Sequence, residues 1–176
     1  GRPKKFEQAW SLRFMARRLS KQLKTPIHFI THFRFNEIQH TVRSAEHGSV
    51  FLLENLRFLP GEATNDGVLG RKLALLGDCF VNDAFAVSHR SHASVVAITR
   101  SIPSYAGFKF EEEIKELSRA MNSPKKPLVV VVGGGKIETK FLTINHLQKN
   151  AAIVLVGGAL TEDILKKKIP KVLFAH

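Results

Sequence analysis

The chain has 176 residues, 44% hydrophobic and 24% charged, which is enough for one buried core and close to the length at which a single domain divides. No apolar run approaches the roughly 18 to 20 residues a membrane-spanning helix needs, and the scattered 12 Gly and 7 Pro exclude collagen, coiled coil and a disordered tail. The net charge of +12 is uneven, +7 over residues 1–47, +1 over 48–110 and +4 over 111–176, and points to an anionic partner: nucleic acid, acidic lipid or a phosphorylated metabolite.

Ser11 to Lys24 reads as an amphipathic helix. Leu12, Met15, Leu19 and Leu23 recur at helical spacing, and Arg13, Arg17, Lys21 and Lys24 form a basic stripe expected to face solvent. Short apolar runs at Ile27–Ile30, Val50–Leu53, Phe80–Val81, Leu128–Val132, Ile153–Val156 and Val172–Phe174 predict buried strands. Helical patterns lie between them at Glu37–Ala45, Gly67–Leu76, Ser91–Arg100, Glu111–Met121, Thr139–Lys149 and Thr161–Lys168. Alternation of strand and helix predicts an α/β fold with a parallel sheet. Near Met121 an acidic helix start gives way to Asn122-Ser123-Pro124-Lys125-Lys126-Pro127, a turn-rich stretch that marks a domain boundary.

Cys79 is the only cysteine, so no internal disulfide can form, and no secretory leader pattern opens the chain. A reducing, cytoplasmic setting is expected. The first residue, Gly1, suggests a piece of something longer. Cys79 itself is expected in the core.

In open parallel sheets ligands bind beyond the carboxyl ends of the strands, where crossover turns and helix N-termini converge. The segments in that place are Glu54-Asn55-Leu56-Arg57-Phe58, Asn82 to Ser94, and Gly133-Gly134-Gly135-Lys136. Arg57 is either a loop arginine paired with Glu54 or a clamp for phosphate or carboxylate, whose oxygens match the guanidinium fork. His89-Arg90 places two cationic or donor groups side by side, to be met either by an anion or by a local network with His92 and Asp83. The glycine turn departs from a P-loop, because Ile137 follows Lys136, and from the dinucleotide fingerprint, because Glu138 stands at its third glycine. What remains is a backbone able to approach a ligand, with Lys136 and Lys140 both near a helix start. The eight histidines show no zinc-binding spacing, and neither Ser88 nor Ser94 sits in a nucleophile elbow.

Taken in order, several stretches resemble phosphoglycerate kinases: Gly1-Arg2-Pro3, Ser11-Leu12, Leu53-Glu54-Asn55-Leu56-Arg57-Phe58 with Pro60-Gly61-Glu62, and Gly77-Asp78 with Val81-Asn82-Asp83-Ala84-Phe85. His89-Arg90 with His92-Ala93-Ser94, Ala106-Gly107-Phe108 with Glu111, Glu113 and Ile114, Gly133-Gly134 with Lys136 and Lys140, and Val156-Gly157-Gly158 continue the series. The resemblance covers essentially the whole chain. It implies Rossmann-like α/β/α layers with parallel sheets, in parts of two domains joined by a helical hinge. Residues 1–108 would be a partial triose-phosphate-binding domain, 109–124 the interdomain helix and hinge, and 125–176 the start of a nucleotide-binding domain. The implied reaction moves a phosphoryl group between 1,3-bisphosphoglycerate and ADP, giving 3-phosphoglycerate and ATP, with Mg2+ carried on the nucleotide.

By the same resemblance Arg2, Arg57, His89 and Arg90 would hold the triose phosphate, and Lys136 would steady the transferring group. Gly134, Gly135, Lys136 and Lys140 would meet the nucleotide phosphates. Gly135 and Thr139 stand where the family usually has Ala and Asp. The chain reads as an internal fragment, following the family's first strand with its Asp, Asn and catalytic Arg and ending before the magnesium-binding Asp, so it is expected to be inactive alone. A monomeric parent with no membrane or nucleic-acid partner is expected. The competing reading, a basic nucleic-acid-binding module, follows from the charge but finds few aromatic stacking platforms.

Overall fold

The computed structural model describes residues 3, 5–134, 141–158 and 172–174. It divides into two compact units, Gly1–Glu111 and Glu112–His176.

In the first unit, helix α1 (Arg13–Leu23) ends where Lys24 turns left-handed, and strand β1 (Ile27–Ile30) follows. Helix α2 (Phe35–Arg43) carries the chain to β2 (Val50–Leu53), which lies parallel to β1 with Ile27 opposite Val50 and Ile30 opposite Leu53. This is a βαβ crossover, and α2 anchors it through Ile38, which is fully buried. A 3-10 turn (Leu56–Phe58) precedes α3 (Pro60–Ala63), where Pro60 takes a first-turn position that needs no N–H partner. Helix α4 (Gly67–Ala74) starts on an Asp66 cap whose carboxylate accepts from Leu69 N at 2.7 Å. Strand β3 (Phe80–Asn82) then pairs in parallel with β4 (Ser104–Ala106), and between them run a 3-10 turn (Phe85–Val87), a π turn (Ala93–Ala97) and a 3-10 turn (Ile98–Arg100).

The core of this unit joins Leu69, Leu73 and Ala74 of α4 to Ala93, Ala97 and Ile98, with Leu53 of β2 and Phe80 of β3 packed against them. The end of β2, at Leu53, and the start of β3, at Phe80, are thereby held over one apolar cluster. Three expectations are corrected here. Ser91–Arg100 is a π turn and a 3-10 turn rather than one α-helix. Cys79 is exposed, lying just before β3 rather than within it. In α1 the buried position is Ala16, while Met15 and Leu23 of the expected apolar stripe are exposed; the basic stripe of Arg13, Arg17, Lys21 and Lys24 does face solvent, with the Arg13 guanidinium carbon 5.4 Å from the Phe29 ring centre.

Helix α5 (Phe108–Asn122) begins beside Gly107, whose N–H donates to Asn82 O at 2.8 Å. The Asp83 carboxylate accepts from Phe110 N at 2.9 Å and so caps the helix from the loop after β3. A Cβ on Gly107 would come within 2.5 Å of Asp83 Cβ, so only glycine lets this cap close.

The second unit contains β5 (Val129–Val132), α6 (Phe141–Leu147), β6 (Ile153–Val156) and β7 (Val172–Phe174), the strands parallel and in the order β5-β6-β7. Ile144, Ala151, Val154 and Val156 form its core, backed by Leu128, Val130 and Val132. Val129 and Val131 point the other way and are exposed, Val131 by 75%, so β5 is covered on one face only among the described residues. A run of four valines looks alike whether one face or both are buried.

Candidate functional site

Glu54 immediately follows β2 and extends its ladder, donating from N to Ile30 O at 2.9 Å. Its side chain is buried, 3% exposed, and accepts from Ser11 Oγ at 2.6 Å, Leu12 N at 2.8 Å and Asn55 N at 2.8 Å. Burial acts to raise the carboxyl pKa, but these three hydrogen bonds and the charge of Arg13 outweigh it and hold Glu54 below the usual carboxylate value. The carboxylate thus ties the start of α1 to the end of β2. Its oxygens are spent on these donors, and the Arg57–Glu54 ion pair considered from sequence does not form.

Asn55 shapes the next turn. Its Oδ1 accepts from Arg57 N at 3.1 Å, and its Nδ2 donates to Trp10 O at 3.1 Å. Arg57 leaves this turn and sets Nη2 3.3 Å from His92 Nε2. A guanidinium only donates, so a hydrogen bond at this contact requires His92 Nε2 as the acceptor and the tautomer with its ring proton on Nδ1. That Nδ1–H faces Glu62 Oε1 at 3.7 Å, an electrostatic contact longer than a hydrogen bond. Glu62, 4% exposed, is fixed in turn by Ser94, whose Oγ donates to Oε1 at 2.6 Å and whose N donates to Oε2 at 3.0 Å. Burial and the positive charge of Arg57 lower the His92 pKa, helped by Arg90 and His89 and opposed by Glu62.

The loop after β3 brings the second arginine. Asn82 donates from Nδ2 to Ser88 Oγ at 2.9 Å and accepts at Oδ1 from Ala84 N at 3.0 Å, while Ser88 Oγ donates to Ala84 O at 2.9 Å. Arg90 N closes the turn on Val87 O at 3.0 Å. His89 is exposed, whereas Arg90 Nε is buried and has no hydrogen-bond partner among the described residues. A buried N–H donor left unpaired is costly, and an anion oxygen is the acceptor that a guanidinium fork takes best. Asp83 is committed to the α5 cap, so of the local network considered for His89-Arg90 only His92 is present.

The sequence-selected Arg57, His89 and Arg90 are therefore brought to His92, where the charge of each is felt, at the ends of β2 and β3. Arg2 lies outside the described residues. In the second unit, Gly134 follows β5 with φ 123°, a backbone state suited to glycine, while Gly135, Lys136 and Lys140 lie outside the described residues. Among the described residues no three of His, Cys, Asp and Glu gather as metal ligands. The sequence offers Glu54 only as a partner for Arg57 and Ser94 only as a nucleophile without its elbow, and it points to no role for Glu62; their part in bracing α1 and the His92 loop comes from the structure. The available signal was an acidic residue set among apolar ones, directly after a strand for Glu54 and after Pro60-Gly61 for Glu62.

The phosphoglycerate kinase family model matches residues 1–172. A phosphoglycerate kinase of Thermosipho africanus is 46% identical over 167 residues, and that of Bartonella tribocorum 41% over 166, in each case 94% of this chain and 42% of the relative. Among solved structures, phosphoglycerate kinase from Coxiella burnetii superposes with a TM-score of 0.74 at 36% identity, over 100% of this chain and 45% of that one. The Pyrococcus horikoshii enzyme gives a TM-score of 0.79 at 33% identity, over 90% and 42%. The chain thus spans less than half the length of the relatives it matches. Because the family pattern runs through both units and includes the arginine-bearing turns after β2 and β3, the chain belongs to the phosphoglycerate kinase family.

Proposed function

We propose that this chain carries the triose-phosphate half-site and the opening of the nucleotide domain of a phosphoglycerate kinase. The observation that supports this best is the Arg57–His92–Arg90 cluster, with Arg90 Nε buried and unpaired beyond the end of β3. Two guanidinium groups offer donors and positive charge, and His89 a ring N–H donor, to the phosphate and carboxylate of 3-phosphoglycerate. Arg2 joins them on the strength of the family pattern.

In the whole enzyme, a β-phosphate oxygen of ADP attacks the acyl phosphorus of 1,3-bisphosphoglycerate. The bond from phosphorus to the carboxyl oxygen breaks, and 3-phosphoglycerate and ATP leave. Lys136 would meet the charge on the transferring group, while Gly134, Gly135 and Lys140 would meet the nucleotide phosphates. Such a reaction is driven by positioning and positive charge rather than by a covalent intermediate. None of the described residues is assigned to magnesium, which belongs with the nucleotide. The parent is read as a monomeric, cytoplasmic enzyme of glycolysis with small-molecule partners, and the 176 residues alone are expected to bind without turning over.

Steady-state kinetics of the whole enzyme test the division of roles. Arg57→Ala and Arg90→Ala should chiefly raise the Michaelis constant for 3-phosphoglycerate, because the ground-state anion already needs the fork. Lys136→Ala should instead lower turnover with that constant less changed, because the charge it meets is greatest in the transition state. Unchanged turnover in Lys136→Ala, or both parameters unchanged in the arginine variants, would refute the assignment.

A further inference from the structure

We propose that His92, oriented by Glu62, is a positioning residue that holds the Arg57 guanidinium for its anion and releases it on protonation. The inference rests on the reading of Arg57 as an anion ligand and goes beyond it. His92 is poorly suited to touch the ligand as a donor, because its Nε2 is occupied by Arg57 Nη2 at 3.3 Å and its Nδ1 is turned to Glu62. The His92 side chain is only 12% exposed and the Glu62 side chain 5%.

The order of the chain is set from its buried end. Ser94, at the start of the π turn, gives both its Oγ and its N–H to Glu62, so neither carboxylate oxygen can swing away without stranding a donor. Glu62 then presents Oε1 to the Nδ1 side of His92 and favours the tautomer with the proton there. This leaves the Nε2 lone pair for Arg57. Without it, Arg57 keeps, among the described residues, its backbone bond from N to Asn55 Oδ1, and its guanidinium has no other side-chain hydrogen bond.

The groups facing His92 are Arg57 from the 3-10 turn after β2, Glu62 from α3, and Arg90 and His89 from its own loop. A proton on Nε2 removes the acceptor and sets imidazolium against guanidinium, with Arg90 and His89 adding to the repulsion and, among the described residues, Glu62 opposing it. The grip on an anion therefore weakens on acidification. A merely additive role for the histidine charge gives the opposite sign, since imidazolium would strengthen anion binding.

His92→Gln separates the two, because the amide Oε1 still accepts from Arg57 and cannot be protonated at these pH values. Nitrogen-15 NMR of the ligand-free chain should show the His92 proton on Nδ1 and an ordered Arg57 Nε–H that is lost in His92→Ala and kept in His92→Gln. A proton on Nε2 near neutral pH, or an Arg57 signal indifferent to His92→Ala, overturns the proposal whether or not any triose binds. For affinity, 3-phosphoglycerate is titrated into wild type and both variants at about pH 7.5 and at a lower pH at which the same nitrogen-15 spectra show His92 protonated, since its value lies below the ordinary one. His92→Ala should bind about fivefold more weakly at the higher pH, and His92→Gln within about twofold of wild type. Wild type should lose several-fold more affinity than His92→Gln on acidification, titration of the ligand phosphate being common to both. Equal slopes, or a wild type that gains on His92→Gln, contradict the proposal. An ordered, histidine-dependent Arg57 in a chain that binds no 3-phosphoglycerate refutes the triose reading and leaves the positioning role standing.

Discussion

Glu54 and Glu62 each serve as the acceptor for a neighbouring backbone start, Glu54 at Leu12 before α1 and Glu62 at Ser94 in the π turn. A buried carboxylate in this role stabilises only while ionised. Because the folded value of Glu54 lies below the ordinary 4.5, its contribution is complete above that value and is lost as pH falls through the lowered one. Glu54→Gln replaces charge-assisted bonds by neutral ones and should cost on the order of 1 kcal/mol at neutral pH. Urea unfolding between about pH 7 and pH 3 checks the sign, since the gap between wild type and variant should close on acidification. A gap of constant size would mean that the charge of Glu54 does not contribute. His92 acts in the same direction at a higher pH: its folded value is below 6.5, so stability from the neutral ring is complete above 6.5 and declines as pH falls through the lowered value. The position of Arg57 and Arg90 beyond the ends of β2 and β3 was legible in the sequence, because the apolar runs that precede them mark the strands. The carboxylates that organise them were not, since Glu54 and Glu62 work through partners 43 and 32 residues away that no local pattern pairs.

Among the elements, the strands were the easiest to read. β1, β2, β6 and β7 begin and end where the runs of large apolar residues do. β4 went unseen, as Ser104-Tyr105-Ala106 is three residues long, exposed throughout, and held by its pairing to β3 rather than by burial. The helical pattern over Ser91–Arg100 was present, but a stretch this short does not distinguish an α turn from a wider π turn. The α5 cap shows how one loop serves two elements: Asp83 leaves β3 and closes on Phe110 N, with Gly107 leaving room for it. Gly107→Ala should cost about 1 to 3 kcal/mol by overpacking against Asp83. Chemical denaturation followed by far-ultraviolet ellipticity measures it, and a variant as stable as wild type would mean that Asp83 is not confined there.

At the scale of the whole molecule, each unit has its own core, Leu69 to Ile98 in the first and Ile144 to Val156 in the second. The single Trp, Trp10, and the single Tyr, Tyr105, both belong to the first unit. Ile144→Ala, at a fully buried position, should therefore destabilise the second unit by about 2 to 5 kcal/mol while leaving the Trp10 fluorescence midpoint in place. A fluorescence midpoint that moves with it would show that the units unfold as one. The triose-phosphate half of the proposed function rests on the first unit, on the arginines beyond β2 and β3, and isothermal titration of 3-phosphoglycerate into the 176-residue chain tests it most directly. The account predicts saturable binding at neutral pH that falls by at least about tenfold in Arg57→Ala and in Arg90→Ala, the loss typical of a charged hydrogen-bond partner. No binding by wild type, or equal binding by wild type and both variants, would contradict it.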